Sequence, residues 1–330
     1  MGALWRIERI VNFQKDKTTW GNGYALFGFH DSAGRQYVVD YWNNWVGCLS
    51  ATGRLCWSAG STPQPESDLH IPADLRGPGY VAVTPAGKIL VACFHGNAVH
   101  AIDLARKEAS VFIDGGAIGL KDIGNCVYDL EGNIWVNEVE GGRIWQFSPE
   151  GRPLQTVGTG TPGFQVGSSP FEKAQFTWIF DLRRGPDGNL YVMDSNNFAV
   201  RKLDLKQHTV STIVGTGEGG YSGDGGDACK ATLGHNPTER YGGPWSLSLD
   251  EAGNIYIGDT QNHVVRMVER ATNVIRTIAG KPRVTPGLRN SSAETDPLNL
   301  NLPKICGMEY WNGRLFVTEW TGDLAVLAKI

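Results

Sequence analysis

The chain has few charged residues and no long uninterrupted apolar run. Charged side chains make up 19% of its 330 residues, and the formal net charge is −4. The opening stretch "MGALWRIERIVNFQKDK" is broken by Arg6, Glu8 and Arg9, which argues against a signal peptide or membrane span there. Mild acidity argues against a broad phosphate-binding surface. These absences predict a cytoplasmic protein that binds neither nucleic acid nor membranes.

Motifs of several common chemistries are also missing. The six cysteines form no CxxC pair, so a structural zinc site is not expected. Cys48 and Cys56 could face each other across a turn, but we expect reduced thiols in a cytoplasmic protein. The sequence has no GxSxG elbow, no HExxH and no P-loop. Function must therefore be argued from the fold and from the residues that the fold brings together.

The chain is rich in glycine and contains a repeat. The segment 251–266, "EAGNIYIGDTQNHVVR", is nearly copied by "PDGNLYVMDSNNFAVR" at 186–201, and weaker copies occur four more times. Each unit supplies four short strands, such as "WSLSLD", "IYIGD", "HVVRMVE" and "VIRTIAG". Six units of four strands predict an all-β fold, a six-bladed β-propeller. The glycines that align the six copies are Gly34, Gly87, Gly132, Gly188, Gly253 and Gly313.

The two ends of the chain indicate how the ring closes. The sixth unit stops after its third strand, and the first 13 residues contain a strand that precedes the first unit. An N-terminal strand that completes the last blade would remove the free sheet edges that favour aggregation. We therefore expect residues 1–330 to form a single propeller domain whose N-terminal strand lies in the last blade.

The most regular units resemble the NHL repeat. The residues that carry the resemblance are "SGDGG" at 222–226, "GNIYIGDTQNHVVR" at 253–266 and "TIAG" at 277–280. The match is close in blades four and five and weaker elsewhere. The resemblance implies a six-bladed propeller, in a family that includes protein-binding and RNA-binding scaffolds as well as enzymes. It therefore implies the fold more than the function.

An acidic residue ends the second strand in five of the six units. Such a residue can accept hydrogen bonds from the amides of the following turn, so we expect a structural role for the series rather than a ring of metal ligands. Two of these acids lie in loops that depart from the repeat, and they remain candidates for catalysis. The six positions are Asp40, Cys93, Glu138, Asp194, Asp259 and Glu319.

Side chains that face the central channel can be predicted by counting back from each turn glycine, because alternate residues of a strand share a face. The first ring is Phe27, Tyr80, Asn125, Asp181, Ser246 and Cys306, and the second is Phe29, Ala82, Val127, Arg183, Ser248 and Met308. Asp181 and Arg183 are the charged pair inside. They form either a structural salt bridge or a catalytic pair, with Asp181 as the base and Arg183 stabilising an anion.

A metal on the channel axis is a weaker alternative. Similarity to gluconolactonase and paraoxonase propellers implies a divalent cation, such as calcium, held by oxygen ligands that here would be Asn125 and Asp181. The first blade offers Phe27 and Phe29 where such a site needs a glutamate. We therefore expect no cofactor.

The loops between the second and third strands depart from the repeat and carry aromatic residues. Aromatic rings beside a few acids and a histidine are typical of a pocket for a small molecule with an apolar or aromatic part. We predict a small-molecule enzyme or binding protein, with metal-independent acid–base chemistry of a lyase, cyclase, isomerase or hydrolase. The catalytic candidates are Tyr80, His95, Glu138, Asp181, Arg183 and Glu319. The substrate-binding candidates are Phe27, Phe29, Trp42, Phe94, Asn125, Trp245 and Trp320.

The alternative is a scaffold that binds a protein partner through the same face. A scaffold would present a flat, exposed patch of aromatic side chains in place of a closed pocket.

Overall fold

The computed structural model describes residues 5–12, 26–31, 34–50, 53–61, 63–64, 67–234, 242–282, 290–291, 294–320 and 323–330, with the backbone alone for 9–12, 26–29 and 323. Phe27 and Phe29 fall in this last group, so the predictions about their side chains lie outside the described part. The second strands of blades two to five, such as "IWVNE" and "IYIGD", are buried at every position. These strands begin with apolar residues at consecutive positions, which is typical of strands covered on both faces.

The strands form six sheets, and each sheet is one blade of a β-propeller. The N-terminal strand is β1 (Trp5–Asn12). Blade one contains β2 (Leu26–His30), β3 (Gln36–Asp40), β4 (Trp45–Leu49), β5 (Leu55–Gly60) and β6 (His70–Pro72). Blade two contains β7 (Pro78–Val83), β8 (Ile89–Cys93), β9 (Ala98–Asp103) and β10 (Glu108–Asp114). Blade three contains β11 (Ile123–Tyr128), β12 (Ile134–Glu138), β13 (Ile144–Phe147) and β14 (Pro153–Val157).

The second half continues the pattern. Blade four contains β15 (Ser168–Pro170), β16 (Ile179–Arg184), β17 (Leu190–Asp194), β18 (Ala199–Asp204) and β19 (Thr209–Val214). Blade five contains β20 (Ser246–Leu249), β21 (Ile255–Asp259), β22 (Val264–Glu269) and β23 (Val274–Gly280). Blade six contains β24 (Ile305–Trp311), β25 (Arg314–Glu319) and β26 (Asp323–Lys329).

Helical structure in the described residues is limited to short turns. The α-helix α1 (Gly115–Ile118) follows blade two. Within the described ranges, none of the helices has the length and apolar character that crossing a membrane requires. The 3-10 turns are Phe171–Lys173, Ser195–Asn197, Ala228–Lys230, Thr260–Asn262 and Pro297–Asn299.

The ring closes as the sequence predicts. The strand β1 pairs antiparallel with β26, from Trp5 opposite Lys329 to Asn12 opposite Asp323, and completes the sheet of blade six. The innermost strands β2, β7, β11, β16, β20 and β24 each contact the next one around the ring. Blades one and four carry a fifth short strand that the four-strand unit did not predict. These strands come from the links between blades and cover an outer sheet edge.

The core lies between neighbouring blades. One buried cluster joins Tyr256 and Val265 of blade five to Leu315 and Val317 of blade six, and comparable clusters join other neighbouring blades. All six cysteines are free thiols, including Cys48 and Cys56.

Blade six has a different register from the others, and this corrects one prediction. In blades one to five a longer turn connects the first two strands, so that Leu249, for example, pairs with Ile255. In blade six Trp311 pairs with Arg314 across the two-residue turn Asn312–Gly313, where both φ angles are positive. The first strand therefore slips by one residue relative to the turn glycine, and a one-residue slip reverses the faces of a strand.

The slip replaces one predicted channel residue by another. Met308 is buried between blades five and six, so its predicted place in the channel is wrong. Glu309 lies in the channel instead, where it pairs with Arg183.

Candidate functional site

A cavity of about 390 Å³ occupies one end of the central channel. All six blades contribute to its wall, mainly through the loops that follow the second strands and through the first residues of the inner strands. The lining residues are Tyr41, Trp42, Gly79, Tyr80, Phe94, His95, Gly124, Asn125, Val139, Trp178, Phe180, Asp181, Arg183, Trp245, Lys304, Cys306, Gly307 and Trp320.

A continuous series of aromatic rings forms one side of the cavity. Trp178 stacks on Phe180, and Phe180 stacks on Trp245 with ring centroids 5.3 Å apart and an interplanar angle of 4°. Trp245 meets Trp320 edge-on at 6.0 Å, and Trp320 meets Trp42 edge-on at 5.6 Å. Aromatic pairs in these geometries hold one another in place. The series gives the cavity a rigid apolar wall.

Beside Trp42, at one end of this series, the wall carries a histidine and a tyrosine in contact. The Nε2 atom of His95 lies 2.9 Å from the hydroxyl oxygen of Tyr41, and the centroid of the His95 ring is 5.3 Å from that of Phe94. His95 is exposed, and both residues line the cavity. Imidazole is the side chain that most often transfers protons near neutral pH. This pair is therefore the part of the wall best placed to exchange a proton with a bound molecule.

The floor of the cavity contains Asp181, whose two carboxylate oxygens already have donors. Its Oδ1 atom accepts hydrogen bonds from the Asn125 side chain at 2.5 Å and from the Leu182 N–H at 2.9 Å. Its Oδ2 atom accepts one from the Leu247 N–H at 2.8 Å, and the Nε atom of Arg183 lies 2.9 Å from Oδ1. Burial raises the pKa of the Asp181 carboxyl, against the opposing effects of Arg183 and the Leu247 N–H. This geometry favours the structural interpretation of the pair over the catalytic one.

The same contacts do not fit a calcium ion. The amide nitrogen of Asn125 faces Asp181, and the guanidinium of Arg183 holds the position beside the carboxylate that a cation would need. In the described ranges no three His, Cys, Asp or Glu side chains come close enough together to form a metal site.

Arg183 connects the floor to the channel below. Its guanidinium donates to the Tyr80 hydroxyl at 2.8 Å and to the Met308 carbonyl at 3.1 Å, and it lies 3.5 Å from the Glu309 carboxylate. Burial raises the pKa of Glu309 to about 7, although Arg183 opposes the shift, and burial also raises the pKa of the Tyr80 phenol. Tyr80 and Arg183 also line a second cavity of about 230 Å³. They form a partition between two chambers of the channel.

The acids that end the second strands have structural partners. Asp194 accepts hydrogen bonds from Asn197 and Arg201, and Asp259 accepts one from Asn262 at 2.9 Å. Burial raises the pKa of both Asp194 and Asp259 to about 6.

Two catalytic candidates lie outside the cavity wall. Glu138 is fully buried and accepts hydrogen bonds from Arg143, Trp145 and the Lys121 N–H. Glu319 is buried at the end of β25. Neither carboxylate lines the cavity. The structure therefore does not bring these two acids to the other candidates.

The other described candidates do come together in the cavity wall. They are Trp42, Tyr80, Phe94, His95, Asn125, Asp181, Arg183, Trp245 and Trp320. Sequence reasoning missed Trp178, Phe180 and Lys304. Phe180 escaped notice because a β-bulge between Ile179 and Asp181 turns it toward the cavity. Bulges also interrupt β7, β11 and β24 at the same level.

Trp178 occupies a backbone conformation that is unusual for its size. Its φ angle is 61°, in the left-handed region, and the corresponding residue before β7 is Gly77, with φ 62°. In both blades the carbonyl of this residue accepts a hydrogen bond from the loop after the second strand, Ser195 to Trp178 and Phe94 to Gly77. A left-handed conformation costs a non-glycine residue roughly 1–2 kcal/mol. The Trp178 side chain lines the cavity in spite of this cost.

Comparisons with known proteins support the fold. No family model matches the chain. NHL repeat-containing protein 2 of Gallus gallus is 28% identical over 119 residues, which cover 35% of this chain and 15% of that protein. The chloroplastic protein SUPPRESSOR OF QUENCHING 1 of Arabidopsis thaliana is 25% identical over 226 residues, which cover 64% of this chain and 20% of that protein. The matches thus span a fifth or less of these curated relatives, and the NHL similarity covers part of this chain.

Solved structures resemble almost the whole chain. A protein of unknown function from Bacteroides thetaiotaomicron has a TM-score of 0.66 at 15% identity, over 99% of this chain and 76% of that one. Virginiamycin B lyase from Staphylococcus aureus, in a catalytically inactive form with quinupristin, has a TM-score of 0.57 at 11% identity, over 94% and 97%. At these identities the likeness shows the propeller fold alone.

Proposed function

We propose that this protein binds a small molecule with a flat apolar or aromatic part in the 390 Å³ cavity. The observation that carries the proposal is the cavity itself, because ligand pockets commonly have volumes of about 300–1,000 Å³ and walls of aromatic side chains with a few polar groups. Trp42, Trp178 and Trp245 supply apolar wall, and His95 with Tyr41 supplies polar contacts. A protein-binding scaffold would instead expose a flat aromatic patch, which a concave cavity does not resemble.

For catalysis, the cavity offers the His95–Tyr41 pair as the groups placed for proton transfer. Asp181 is a weaker candidate for the base, since both of its oxygens accept hydrogen bonds from the protein. Proton transfer is compatible with the lyase, cyclase or isomerase chemistry expected from the sequence. That a lyase has the same fold is in keeping with an enzyme.

Binding can be tested with a neutral aromatic probe and a variant that fills the cavity. Gly79 lines the cavity, and an added Cβ would meet only the Gly124 carbonyl at 3.8 Å, which is ordinary contact. Gly79→Leu should therefore fold normally while reducing the space for a ligand. In titration calorimetry with 2-naphthamide, we expect binding to the wild type and its loss in Gly79→Leu. No binding to the wild type, or equal binding to both proteins, would contradict the proposal.

Proton transfer can be tested on any ligand that binds. We expect the wild type in D₂O to introduce deuterium into a bound ligand that carries an acidic C–H group, as measured by mass spectrometry. His95→Gln should still bind the ligand but lose the exchange. Exchange that persists in His95→Gln would assign the proton transfer to another group.

A further inference from the structure

Lys304 is the charged residue of the cavity wall that the proposed binding function does not yet use. It lies directly before β24 and its carbonyl accepts a hydrogen bond from the Trp320 N–H at 2.9 Å, in the same way that the Trp178 carbonyl accepts one from Ser195. Lys304 and Trp178 thus hold equivalent backbone positions in blades six and four. Both side chains line the cavity.

The Lys304 ammonium group lies between two tryptophan rings. Its Nζ atom is 4.6 Å from the centroid of Trp245 and 4.8 Å from that of Trp320. Cation–π contacts of this kind hold a lysine in place but use none of its three N–H donors in a hydrogen bond. Within the described part of the chain, no hydrogen bond or ion pair to Nζ is present. The donors therefore remain for a ligand or for water.

The remaining charges of the wall nearly cancel. Asp181 and Arg183 pair with each other at 2.9 Å and contribute no net charge. Glu319 pairs with Ile305 in the sheet, but it is buried and does not line the cavity. Apart from His95, the described lining residues thus leave one positive charge, that of Lys304.

A cluster of tryptophans without a lysine would suit a cationic ligand, since quaternary ammonium groups bind in aromatic cages. In this cavity Lys304 already occupies the faces of two tryptophans, and a second cation would be repelled. An acidic group on the ligand would instead be attracted, because it would pair with the Lys304 ammonium group and accept its hydrogen bonds.

We infer that the ligand of this cavity is an aromatic or apolar acid whose carboxylate binds Lys304. This inference rests on the proposed function and specifies the chemical class of the ligand. It makes Lys304 a determinant of specificity, since the residue favours an acid and disfavours a cation of the same shape.

The test uses three probes that share one aromatic body: 2-naphthoate, 2-naphthamide and a 2-naphthylmethyl trimethylammonium ion. Titration calorimetry of the wild type should give affinities in the order acid, amide, cation. Lys304→Met keeps an apolar side chain over the tryptophans and removes the charge. It should weaken 2-naphthoate by roughly 3- to 30-fold, leave 2-naphthamide within about twofold and strengthen the cation.

Lys88→Met is the matched control. Lys88 also lies over an aromatic ring, 4.3 Å from the centroid of Phe112, but it does not line the cavity. Its replacement changes the net charge by the same amount and should leave all three affinities unchanged.

The failures of the two proposals are distinguishable. If 2-naphthamide binds the wild type as tightly as 2-naphthoate, and Lys304→Met changes neither affinity, the acid specificity is wrong while the binding function stands. If none of the three probes binds the wild type, both the binding function and the specificity are wrong. Equal weakening of 2-naphthoate by Lys88→Met would show a general charge effect and would also overturn the assignment to Lys304.

Discussion

The loops after the second strands of blades one and four begin and end alike but differ in the middle. Blade four has Asp194-Ser195-Asn196-Asn197, and blade one has "DYWN" at 40–43. In both loops the asparagine side chain donates to the aspartate, at 2.9 Å. In blade four the Ser195 hydroxyl donates to the Pro244 carbonyl of the next link. In blade one the corresponding residue, Tyr41, reaches His95 of the next blade instead.

The two loops therefore use the same backbone frame for two purposes. Where the loop follows the repeat, a small hydroxyl residue ties one blade to the next, as Thr260 of blade five also does through the Ile305 carbonyl. Where the loop departs from it, the same position carries an aromatic side chain into the cavity. Residues that match the repeat should therefore control stability, and residues that depart from it should control binding.

The largest effect on stability is expected at Asp194. The Asp194→Ala variant leaves the guanidinium of Arg201, which is fully buried, without its carboxylate partner. Removing one partner of a buried ion pair costs about 3–5 kcal/mol. Urea unfolding should show a loss of that order. A loss below about 1 kcal/mol would contradict the structural role assigned to the repeat acids.

Converting the loop of blade one into that of blade four tests the other half of the comparison. The double variant Tyr41→Ser, Trp42→Asn keeps Asp40 and Asn43, and Trp42 is 48% exposed. We expect the free energy of unfolding to change by less than about 1 kcal/mol, because surface substitutions have small effects. Calorimetric affinity for 2-naphthamide should fall by roughly 30-fold, the value of an aromatic hot spot. Unchanged affinity would show that this loop does not bind the ligand.

A single substitution of Trp178 should weaken ligand binding while leaving the free energy of unfolding nearly unchanged. Trp178→Gly places at this backbone position the residue that blade two already has at Gly77. Relief of the left-handed strain should offset the lost packing, so that unfolding free energy stays within about 1 kcal/mol of the wild type. Affinity for 2-naphthamide should fall as the aromatic wall loses its first ring. A variant that is strongly destabilised, or that binds as well as the wild type, would contradict this account.

The smallest expected effect is a pH dependence at Glu309. Its pKa is raised to about 7 in the folded protein, so its contribution to stability is present at low pH and is lost as pH rises toward and through 7. Relative to Glu309→Gln, the wild type should lose up to about 1.4 kcal/mol per pH unit between about pH 5 and pH 7. Urea unfolding of both proteins across that range measures the difference.

The comparison with Glu309→Gln is needed because another group titrates nearby. Burial lowers the pKa of the His30 imidazole to about 4, and the backbone N–H of His30 donates to the Glu309 carboxylate. The contribution of His30 has the opposite sign over part of the same range. Glu8→Gln, which removes an exposed carboxylate paired with Arg314, is the control and should leave the slope unchanged. Parallel curves for the wild type and Glu309→Gln would show that Glu309 is charged throughout.

The repeat made the fold predictable from the sequence, because six Gly turns and an orphan first strand specify both the number of blades and the closure of the ring. Counting back from the turn glycines along the inner strands also predicted that Tyr80, Asn125, Asp181 and Arg183 face the channel. It failed in blade six, where a two-residue turn moves the register and places Glu309 in the channel.

Other parts of the site depend on features that the repeat does not encode. A bulge turns Phe180 into the cavity, and a left-handed residue at the start of blade four positions Trp178. The sequence alone makes Glu138 a candidate site residue, because it does not show that Arg143 and Trp145 donate hydrogen bonds to this carboxylate. Those contacts can be recognised only when the pairing of the strands is known.

The most direct test of the account is the position of a bound ligand. A crystal of the protein with 6-bromo-2-naphthoate would locate the bromine by its anomalous scattering. We predict one bromine site inside the cavity, near Trp42, Trp178 and Trp320, with the carboxylate within hydrogen-bond distance of the Lys304 Nζ atom. Bromine only at the outer surface, or aromatic side chains collapsed into a closed channel, would contradict the claim that the divergent residues build a small-molecule site.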